Sequence, residues 1–450
     1  MSLTDNNGNT RAAEFIHETT WKTLPGPVKE RVKLGLYDSL AAVIAGTVTR
    51  ISSITTEYAS QRMKGSEASI LLSGKRSTAA GAALANGYAG NGLDIDDGSS
   101  YTRGHPGAQL LPALLAAGEV QDSSGEELLT ALAVGYETAV LAGRCWHQHH
   151  SVYQACGSWG SVGCAAAASR IFGLDREKTK HALGIAEYHA PNLPMMRDID
   201  NPAMVKHGIG WAAMNGVLSA YLAAEGFTGI PSLFGMERFG PWVEELGSRW
   251  LLLDGLGIKR WCSCAWGHPA LAAVEELQRR YGFTASEIDS IDVYTFHHAA
   301  RLYRDVPQTT EEAQFSVNWP MAALLIDGEV GPDQVLEHRL SDRTIAELAG
   351  KITITEDREI DRKFRLAHNG VDSPEACYAS RVVVKTVDEK EYDSGEYVDL
   401  YEWDRPKIEE KFRWITGFVL DPPRQEALIE MLGSFEQVGS VRELIAVLAR

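Results

Sequence analysis

Residues 163–173 read GCAAAASRIFG, and residues 210–216 read GWAAMNG. Alanine is the best helix former, and small side chains allow two helix backbones to approach each other closely. Both stretches therefore predict helices that pack backbone to backbone inside a helical domain.

The first half of the chain predicts one helix after another. Val28, Val32, Leu36 and Leu40 recur every four residues after a Pro-Gly-Pro start, and Gly46 predicts the end of that helix. The opening residues, MSLTDNNGNTRAAEF, predict a frayed start. Further helices are predicted at about 75–90, 107–120, 125–143, 160–172, 177–187 and 207–225.

The pattern changes after about residue 285. Residues 288–296, 351–356 and 380–387 are rich in Ile, Val and Thr and predict strands, and residues 387–390 predict a hairpin turn. Helical segments are predicted between these strands and after Pro406, at about 269–281, 311–327, 342–349, 407–415, 423–433 and 440–449.

The predicted fold class is mainly α with an α+β part. A large all-α helical domain is made of two separate stretches, residues 1–264 and the C-terminal return at 406–450. Residues 265–405 form a smaller inserted α+β lid domain, whose closure on the helical domain is expected to assemble a site.

Composition limits the function classes. The formal charge of −17 over 450 residues argues against nucleic acid as a partner, because its phosphates would be repelled. No run of about 18 uncharged apolar residues predicts a membrane helix. The six cysteines have irregular spacings and predict reduced thiols, so we expect a cytoplasmic protein.

One loop combines acids with a histidine. Asp94, Asp96 and Asp97 fall within four positions, and Arg103 and His105 follow. The next residue, a proline, suits the first position of a helix, so His105 would lie at a helix start, where anions are favoured. This pattern indicates proton transfer, although a turn-and-capping cluster and a histidine bound to backbone are the alternatives.

Cations follow further along the chain. Lys206 and His207 are adjacent, and Lys259 and His268 lie about fifty residues later. Such groups would bind an anionic substrate and stabilise charge that develops next to a carboxylate. The alternative is surface lysines whose stems cover apolar area.

No pattern predicts a metal or another cofactor. The Cys262-Ser-Cys264 pair is one residue shorter than CxxC, and the histidines of the WHQHH run at 146–150 would point apart on a helix. An iron–sulfur hydratase would need three thiolate ligands.

Several strings, in order, carry a resemblance to a known family. They are NG at 86–87 with LDIDD at 93–97, GHPGA at 104–108, FGLD at 172–175, MVK at 204–206, GFTG at 226–229, HP at 268–269, FS at 315–316 and DGE at 327–329. The chain resembles the MmgE/PrpD family. The resemblance implies a homodimer of helical and α+β lid domains with metal-free chemistry on small di- or tricarboxylates. Known activities include 2-methylcitrate dehydratase, cis-aconitate decarboxylase and iminodisuccinate epimerase.

Four departures from better-known members bear on the substrate. Gly98 stands where they carry Thr, and no His occurs in 153–160, where Tyr153 or Gln154 takes its place. Trp319 falls near a family Tyr, and the Lys206-His207 element is one residue tighter. Loss of the second histidine argues against cis-aconitate decarboxylation and makes Tyr153 a hypothetical substitute acid.

The function predicted from the sequence is a cofactor-independent lyase, of hydro-lyase type, acting on a small carboxylate. The alternatives are an isomerase or epimerase with the same proton chemistry and a catalytically silent dimer that binds carboxylates. Predicted catalytic residues are His105, Asp94, Lys206 and Tyr153; predicted substrate-binding residues are Arg103, Asp97, His207, Lys259, His268, Gln154 and Trp319.

Overall fold

The computed structural model describes residues 7–371 and 373–448. The first helices and strands are α1 Asn7–Glu18, α2 Gly26–Gly46, α3 Arg50–Arg62, β1 Ala68–Ile70, β2 Lys75–Ser77, α4 Ala79–Gly90, β3 Gly98–Ser99, α5 Gly107–Gln121, α6 Gly125–His149, α7 Gly157–Ile171, α8 Arg176–Tyr188, α9 Met195–Ile199, α10 Ile209–Ala224, α11 Gly240–Glu244, α12 Leu251–Gly255 and β4 Leu256–Gly257. The remaining ones are α13 His268–Tyr281, β5 Ile288–Thr295, α14 His297–Ala300, α15 Thr310–Gln314, α16 Asn318–Asp327, α17 Pro332–Val335, α18 Arg343–Ala349, β6 Ile352–Glu356, α19 Arg358–His368, β7 Ala379–Thr386, β8 Glu391–Val398, α20 Arg405–Thr416, α21 Pro422–Gly433 and α22 Val441–Leu448.

The helical core is packed backbone to backbone, as the small-residue stretches predict. Helix α10 lies against both α4 and α7. A Cβ added at Gly87 would come within 2.8 Å of the Gly210 Cα, and one added at Gly216 would come within 2.3 Å of the Cys164 Cβ. Only glycine fits at such distances, so these two positions fix how closely α10 approaches its neighbours.

Of three local expectations, two were wrong and one is confirmed. The predicted frayed start was wrong from Asn7 onward, where the chain is helical because Phe15 and Ile16 anchor α1 in the core; residues 1–6 lie outside the described residues. Gly46 ends α2 as predicted, but its backbone is not left-handed; a Cβ there would lie 1.8 Å from the Ala89 carbonyl oxygen, so the glycine serves close packing. Residues 315–317 divide the segment predicted as one helix into α15 and α16.

A four-stranded sheet in the order β6-β5-β7-β8 forms the centre of the α+β unit. Strand β5 pairs in parallel with β6 and antiparallel with β7, which pairs antiparallel with β8 through the predicted hairpin. Helix α19, which the sequence analysis did not predict, packs on β5 and β7 and stacks Phe364 on Phe296 with ring centres 4.0 Å apart.

The C-terminal segment packs on the helical domain. Helix α20 lies along α2, where the ring of Phe412 meets Tyr37 edge-on at 6.1 Å and Lys411 binds Asp38. Helix α22 contacts α5. The predicted fold class, mainly α with an α+β part, is confirmed.

By length and composition alone, helix α6 could cross a membrane. This differs from the expectation that no stretch of the sequence is apolar enough for a membrane helix. Its apolar window is 94% buried inside the protein, the situation of a core helix. Among the described residues, the bent pair α2 and α3 passes the same test only if it is counted as one span.

Candidate active site

A cavity of about 650 Å³ lies at the junction of the helical domain and the α+β unit. The helical domain contributes the loop at 98–105 and the segment at 255–259, and the α+β unit contributes residues 376–378 and 398–400. Its polar and titratable lining consists of Asp94, Ser99, Ser100, Arg103, His105, Tyr153, His207, Lys259, Cys264, His268, Cys377, Tyr378 and Asp399.

A short antiparallel pairing brings two distant parts of the chain to this cavity. Gly98 in β3 pairs with Gly257 in β4, and Ser99 pairs with Leu256. The acidic loop therefore lies beside the segment that ends in Lys259. This pairing explains how residues more than 150 positions apart share one site.

Lys259 forms a buried ion pair with Asp94. The Lys259 Nζ donates to Asp94 Oδ1 at 2.7 Å and to the Ser263 carbonyl at 3.3 Å. Burial raises the pKa of Asp94, but Lys259, Lys206 and His105 outweigh it and hold this pKa well below its usual range. An ammonium has three donors. Two of those of Lys259 have partners among the described residues, so the third is left for a ligand.

His105 is held by the same acidic loop. Its Nδ1 lies 2.8 Å from the Asp97 carbonyl oxygen and 3.1 Å from Asp96 Oδ2, while Nε2 lies 3.5 Å from Asp94 Oδ1. Burial lowers the pKa of His105, but the neighbouring carboxylates, Asp96 first, raise it above its usual value. The arrangement favours an imidazolium with its Nε2 available as a proton donor.

Asp97 caps the helix that follows His105. Its Oδ1 accepts from the Gly107 N–H at 2.8 Å at the start of α5, and its Oδ2 accepts from the Tyr136 hydroxyl at 2.6 Å. Burial, and then Asp38, raise the pKa of Asp97 to about 7. The Asp97 carboxylate does not line the cavity. It lies behind His105 and supports the segment that carries it.

His207 supplies a second imidazole next to His105. The rings are parallel, with centres 5.8 Å apart and planes inclined by 5°. The His207 Nδ1 lies 2.7 Å from Asp198 Oδ2, which also accepts from the His207 backbone N–H at 2.8 Å. Sequence reasoning missed Asp198, which orients this ring and leaves Nε2 as the free nitrogen.

Lys206 lies one layer behind the cavity. Its Nζ donates to Gln314 Oε1 at 2.6 Å and lies 5.2 Å from the centre of the Phe315 ring. Only 1% of the residue is exposed, and it does not line the cavity. Its charge nevertheless acts on Asp94, so Lys206 adds positive potential from behind.

The other predicted residues divide into two groups. His268 lines the cavity with Nε2 3.2 Å from the Ser263 carbonyl, and burial, followed by Lys259, lowers its pKa to about 3. Tyr153 also lines the cavity and donates its hydroxyl to the Arg103 carbonyl. The structure does not bring Gln154 or Trp319 to the cavity; the Trp319 indole donates to the Gln334 carbonyl at 2.8 Å.

Four residues near the cavity have left-handed backbone conformations. Their φ angles are 52° at Asp94, 55° at Arg103, 42° at Lys206 and 58° at His207. This conformation costs non-glycine residues about 1–3 kcal/mol each and concentrates at functional sites. The structure thus places strained backbone where the sequence predicts chemistry.

Asp94, Asp96 and His105 could also hold a metal ion. Each offers a ligand atom, and these atoms lie within 4.8 Å of one another. However, the Lys259 ammonium already forms an ion pair with Asp94, so a protein cation balances part of the negative charge of this cluster. The predicted absence of a metal stays a prediction.

A second buried ion pair supports the acidic loop from below. The Lys411 Nζ binds Asp38 in α2 and donates to the Ile95 carbonyl at 2.8 Å. Burial raises the pKa of Asp38 even though Lys411 opposes this. Sequence reasoning missed both residues, and the only signal was a carboxylate within an otherwise mostly apolar run of a predicted helix.

Two family profiles match the chain. The MmgE/PrpD N-terminal domain matches residues 10–241, and the MmgE/PrpD C-terminal domain matches residues 261–437. The chain belongs to the MmgE/PrpD family. The resemblance predicted from the sequence is thereby confirmed.

Relatives from fungi and animals are similar to this MmgE/PrpD protein over nearly their whole length. The cis-aconitate decarboxylase-like protein oryM of Aspergillus oryzae is 27% identical, over 100% of this chain and 99% of its own. Cis-aconitate decarboxylase of Aspergillus terreus is 24% identical over 94% of this chain and 92% of its own. The human cis-aconitate decarboxylase is 26% identical over 97% and 93%.

The departures from the family pattern can now be located. Gly98 lines the cavity, where a threonine would add a hydroxyl. Tyr153 lines it at the place of the missing histidine. The expected loss of a second imidazole is offset in this MmgE/PrpD site, because His207 lies beside His105.

Proposed function

We propose that this protein is a cofactor-independent lyase that acts on a small tricarboxylate by proton transfer next to a carboxylate. The observation that carries the proposal is His105, held between Asp96 and the Asp94–Lys259 ion pair and facing the parallel ring of His207. A poised acid, a second imidazole and a free ammonium donor at one cavity suit this chemistry. Carbon dioxide loss is the first reaction to test, because the relatives are cis-aconitate decarboxylases.

The residues have complementary tasks in such a reaction. When cis-aconitate loses carbon dioxide, a carbon–carbon bond breaks and its electron pair forms a new double bond. The electron pair of the old double bond moves to a carbon beside another carboxylate. That carbon takes one proton, which the His105 Nε2 delivers. The ammonium of Lys259 and the potential of Lys206 stabilise the negative charge that develops. Water then supplies a new proton to His105, and His207 beside it can relay that proton; in dehydration or epimerisation His207 would instead be the base that removes a proton.

Dehydration and epimerisation use the same groups. Each passes through negative charge next to a carboxylate, so the site does not distinguish them by its acids and bases alone. The identities of 24–27% to decarboxylases leave the reacting bond to be determined by experiment.

The test is turnover in deuterated water, followed by nuclear magnetic resonance. Cis-aconitate and 2-methylcitrate are each incubated with the full chain. Carbon dioxide release with one deuterium in the product supports the decarboxylase, and loss or gain of water supports the dehydratase within the same class. Label exchange alone would replace the lyase by an isomerase. No change in either compound would overturn the proposed enzymatic activity and favour a protein that only binds carboxylates.

The protein is further proposed to be a homodimer, as the family resemblance implies. Trp211, Leu218 and Leu222 lie on one face of α10 and are 48%, 38% and 41% exposed. Their spacing of seven and four residues makes an apolar stripe, which typically covers a partner. Light scattering should give twice the chain mass, and Trp211→Glu should shift it towards the monomer. A monomer mass for the unaltered protein would contradict this.

A further inference from the structure

Arg103 is a cation without a counter-ion at the cavity. The residue is partly buried, lines the cavity and holds its guanidinium 5.7 Å from the centre of the Tyr153 ring. Within residues 7–371 and 373–448, its guanidinium has neither a hydrogen bond nor an ion pair, although several other arginines bind carboxylates. Its five N–H donors form a fork that fits a carboxylate in two-pronged fashion.

The cavity also contains Asp94 and Asp399, but no carboxylate is among the described groups that act on the Arg103 charge. Tyr153 and Tyr378 are the groups that act on the Arg103 charge after burial itself. Burial raises the pKa of Tyr378 to about 12, so its hydroxyl stays a neutral donor. Tyr378 lines the cavity, and its hydroxyl has no hydrogen-bond partner among the described residues.

Three histidines lie behind these tyrosines. The ring of His368 meets Tyr153 edge-on at 5.3 Å and lies 5.2 Å from the ring of His298, and His147 meets Tyr153 at 5.3 Å. Burial, with Arg103 as a further cause, lowers the pKa of His147 to about 4, of His298 to about 4 and of His368 to about 2. All three are neutral at physiological pH, so they neither repel nor balance the positive charge of Arg103.

Both structural units contribute to this place. Arg103, Tyr153 and His147 belong to the helical domain, whereas Tyr378 and His368 belong to the α+β unit. Arg103 and Tyr378 therefore line the same cavity, one from each unit. The acid and base chemistry occupies a separate set of side chains, those of Asp94, His105, His207 and Lys259.

We propose that Arg103 and Tyr378 form a second carboxylate subsite, which holds the substrate carboxylate that is remote from His105. The subsite rests on the proposed function and deepens it, because it makes the enzyme select for the number of carboxylates. A substrate whose remote carboxylate is missing leaves the guanidinium without a partner and binds more weakly.

The test measures binding of tricarballylate, a saturated tricarboxylate, and of succinate by calorimetry. Arg103→Met should weaken tricarballylate binding by about 10- to 100-fold, the range for a hydrogen bond to a charged group. Arg103→Lys should keep part of the affinity, because it keeps the charge but not the fork. Tyr378→Phe, which removes only a hydroxyl, should weaken binding by about 3- to 10-fold. In both Arg103→Met and Tyr378→Phe the preference for tricarballylate over succinate should fall. This preference is the ratio of two binding constants, which a general loss of folded protein does not change.

The control is Arg301→Met, because Arg301 belongs to the same region but binds Asp200 and does not line the cavity. This variant should bind both probes like the unaltered protein. Tricarballylate that binds Arg103→Met as tightly as the unaltered protein, or that does not bind the unaltered protein, would overturn the subsite. Binding that depends on Arg103 in a protein that turns over no substrate would instead overturn the proposed reaction and keep the subsite.

Discussion

The imidazole of His105 lies parallel to that of His207, with ring centres 5.8 Å apart. Each ring is held at Nδ1, His105 by Asp96 and the Asp97 carbonyl and His207 by Asp198. In both rings Nε2 is the nitrogen left for a substrate. A buried pair that is fixed in this way can divide the work of acid and base.

His105→Gln is expected to lower kcat by about 10²–10⁴, the range for a general acid or base, with little change in KM. Glutamine keeps the size and a hydrogen bond but cannot deliver a proton. Steady-state kinetics on the true substrate measures this. His338→Gln is the matched control, because His338 is exposed and paired with Asp333. Near-normal turnover of His105→Gln would reduce His105 to a structural cap.

His207→Gln is expected to lower kcat in the same range of about 10²–10⁴, since it removes the second imidazole. Asp198→Asn should lower kcat by a smaller factor, because the ring remains but its Nδ1 proton loses the carboxylate that fixes it. The pH profile of kcat should also change in Asp198→Asn. If both variants behave like the unaltered enzyme, His207 only packs against His105.

Activity is expected to survive chelation. Asp94, Asp96 and His105 have the ligand atoms for a metal, but the Lys259 ammonium lies 2.7 Å from Asp94 Oδ1 and supplies the positive charge. After dialysis against a strong chelator, kcat should stay within about twofold of its starting value. Loss of turnover that added metal restores would show that this cluster binds a cation.

The fold could be read from the sequence because its signals are local. Pro106 and Gly107 give the start of α5 as predicted, and segments rich in Ile, Val and Thr give β5 and β7. The Lys411–Asp38 pair could not be read, because the two residues are 373 positions apart and a lysine on an amphipathic helix normally faces water. Asp198 escaped for a different reason: it lies only 9 positions from His207, but its partner is identified only by the loop geometry at His207.

Lys411→Met is expected to reduce the free energy of unfolding by about 3–5 kcal/mol, because it leaves the Asp38 carboxylate buried without a partner. The double variant Lys411→Met, Asp38→Asn should recover part of this loss, since no unpaired charge remains. Urea denaturation measures both. Exposed Lys64→Met serves as control. A single variant as stable as the unaltered protein would mean that solvent reaches Asp38.

Asp97→Asn is expected to change how stability depends on pH. The pKa of Asp97 is about 7 in the folded protein and about 3.9 for a free aspartate. The folded state therefore favours the protonated form, and ionisation of Asp97 progressively destabilises it as the pH rises from about 4 to about 7. Below this window the destabilisation is absent; above it, it is constant and as large as about 4 kcal/mol.

Urea denaturation of both proteins from pH 4 to pH 8 measures this difference. Asparagine has no charge to bury, so Asp97→Asn should gain stability relative to the unaltered protein as the pH rises through the window. An offset in the free energy of unfolding that does not depend on pH is expected as well. Only the oxygen of the asparagine amide accepts hydrogen bonds, so its nitrogen cannot replace the carboxylate oxygen that accepts from Gly107 or from Tyr136. Asp289→Asn, at an exposed position, should leave the pH profile unchanged. A constant difference between Asp97→Asn and the unaltered protein would mean that Asp97 is already ionised at pH 4, and that the Gly107 and Tyr136 hydrogen bonds outweigh its burial.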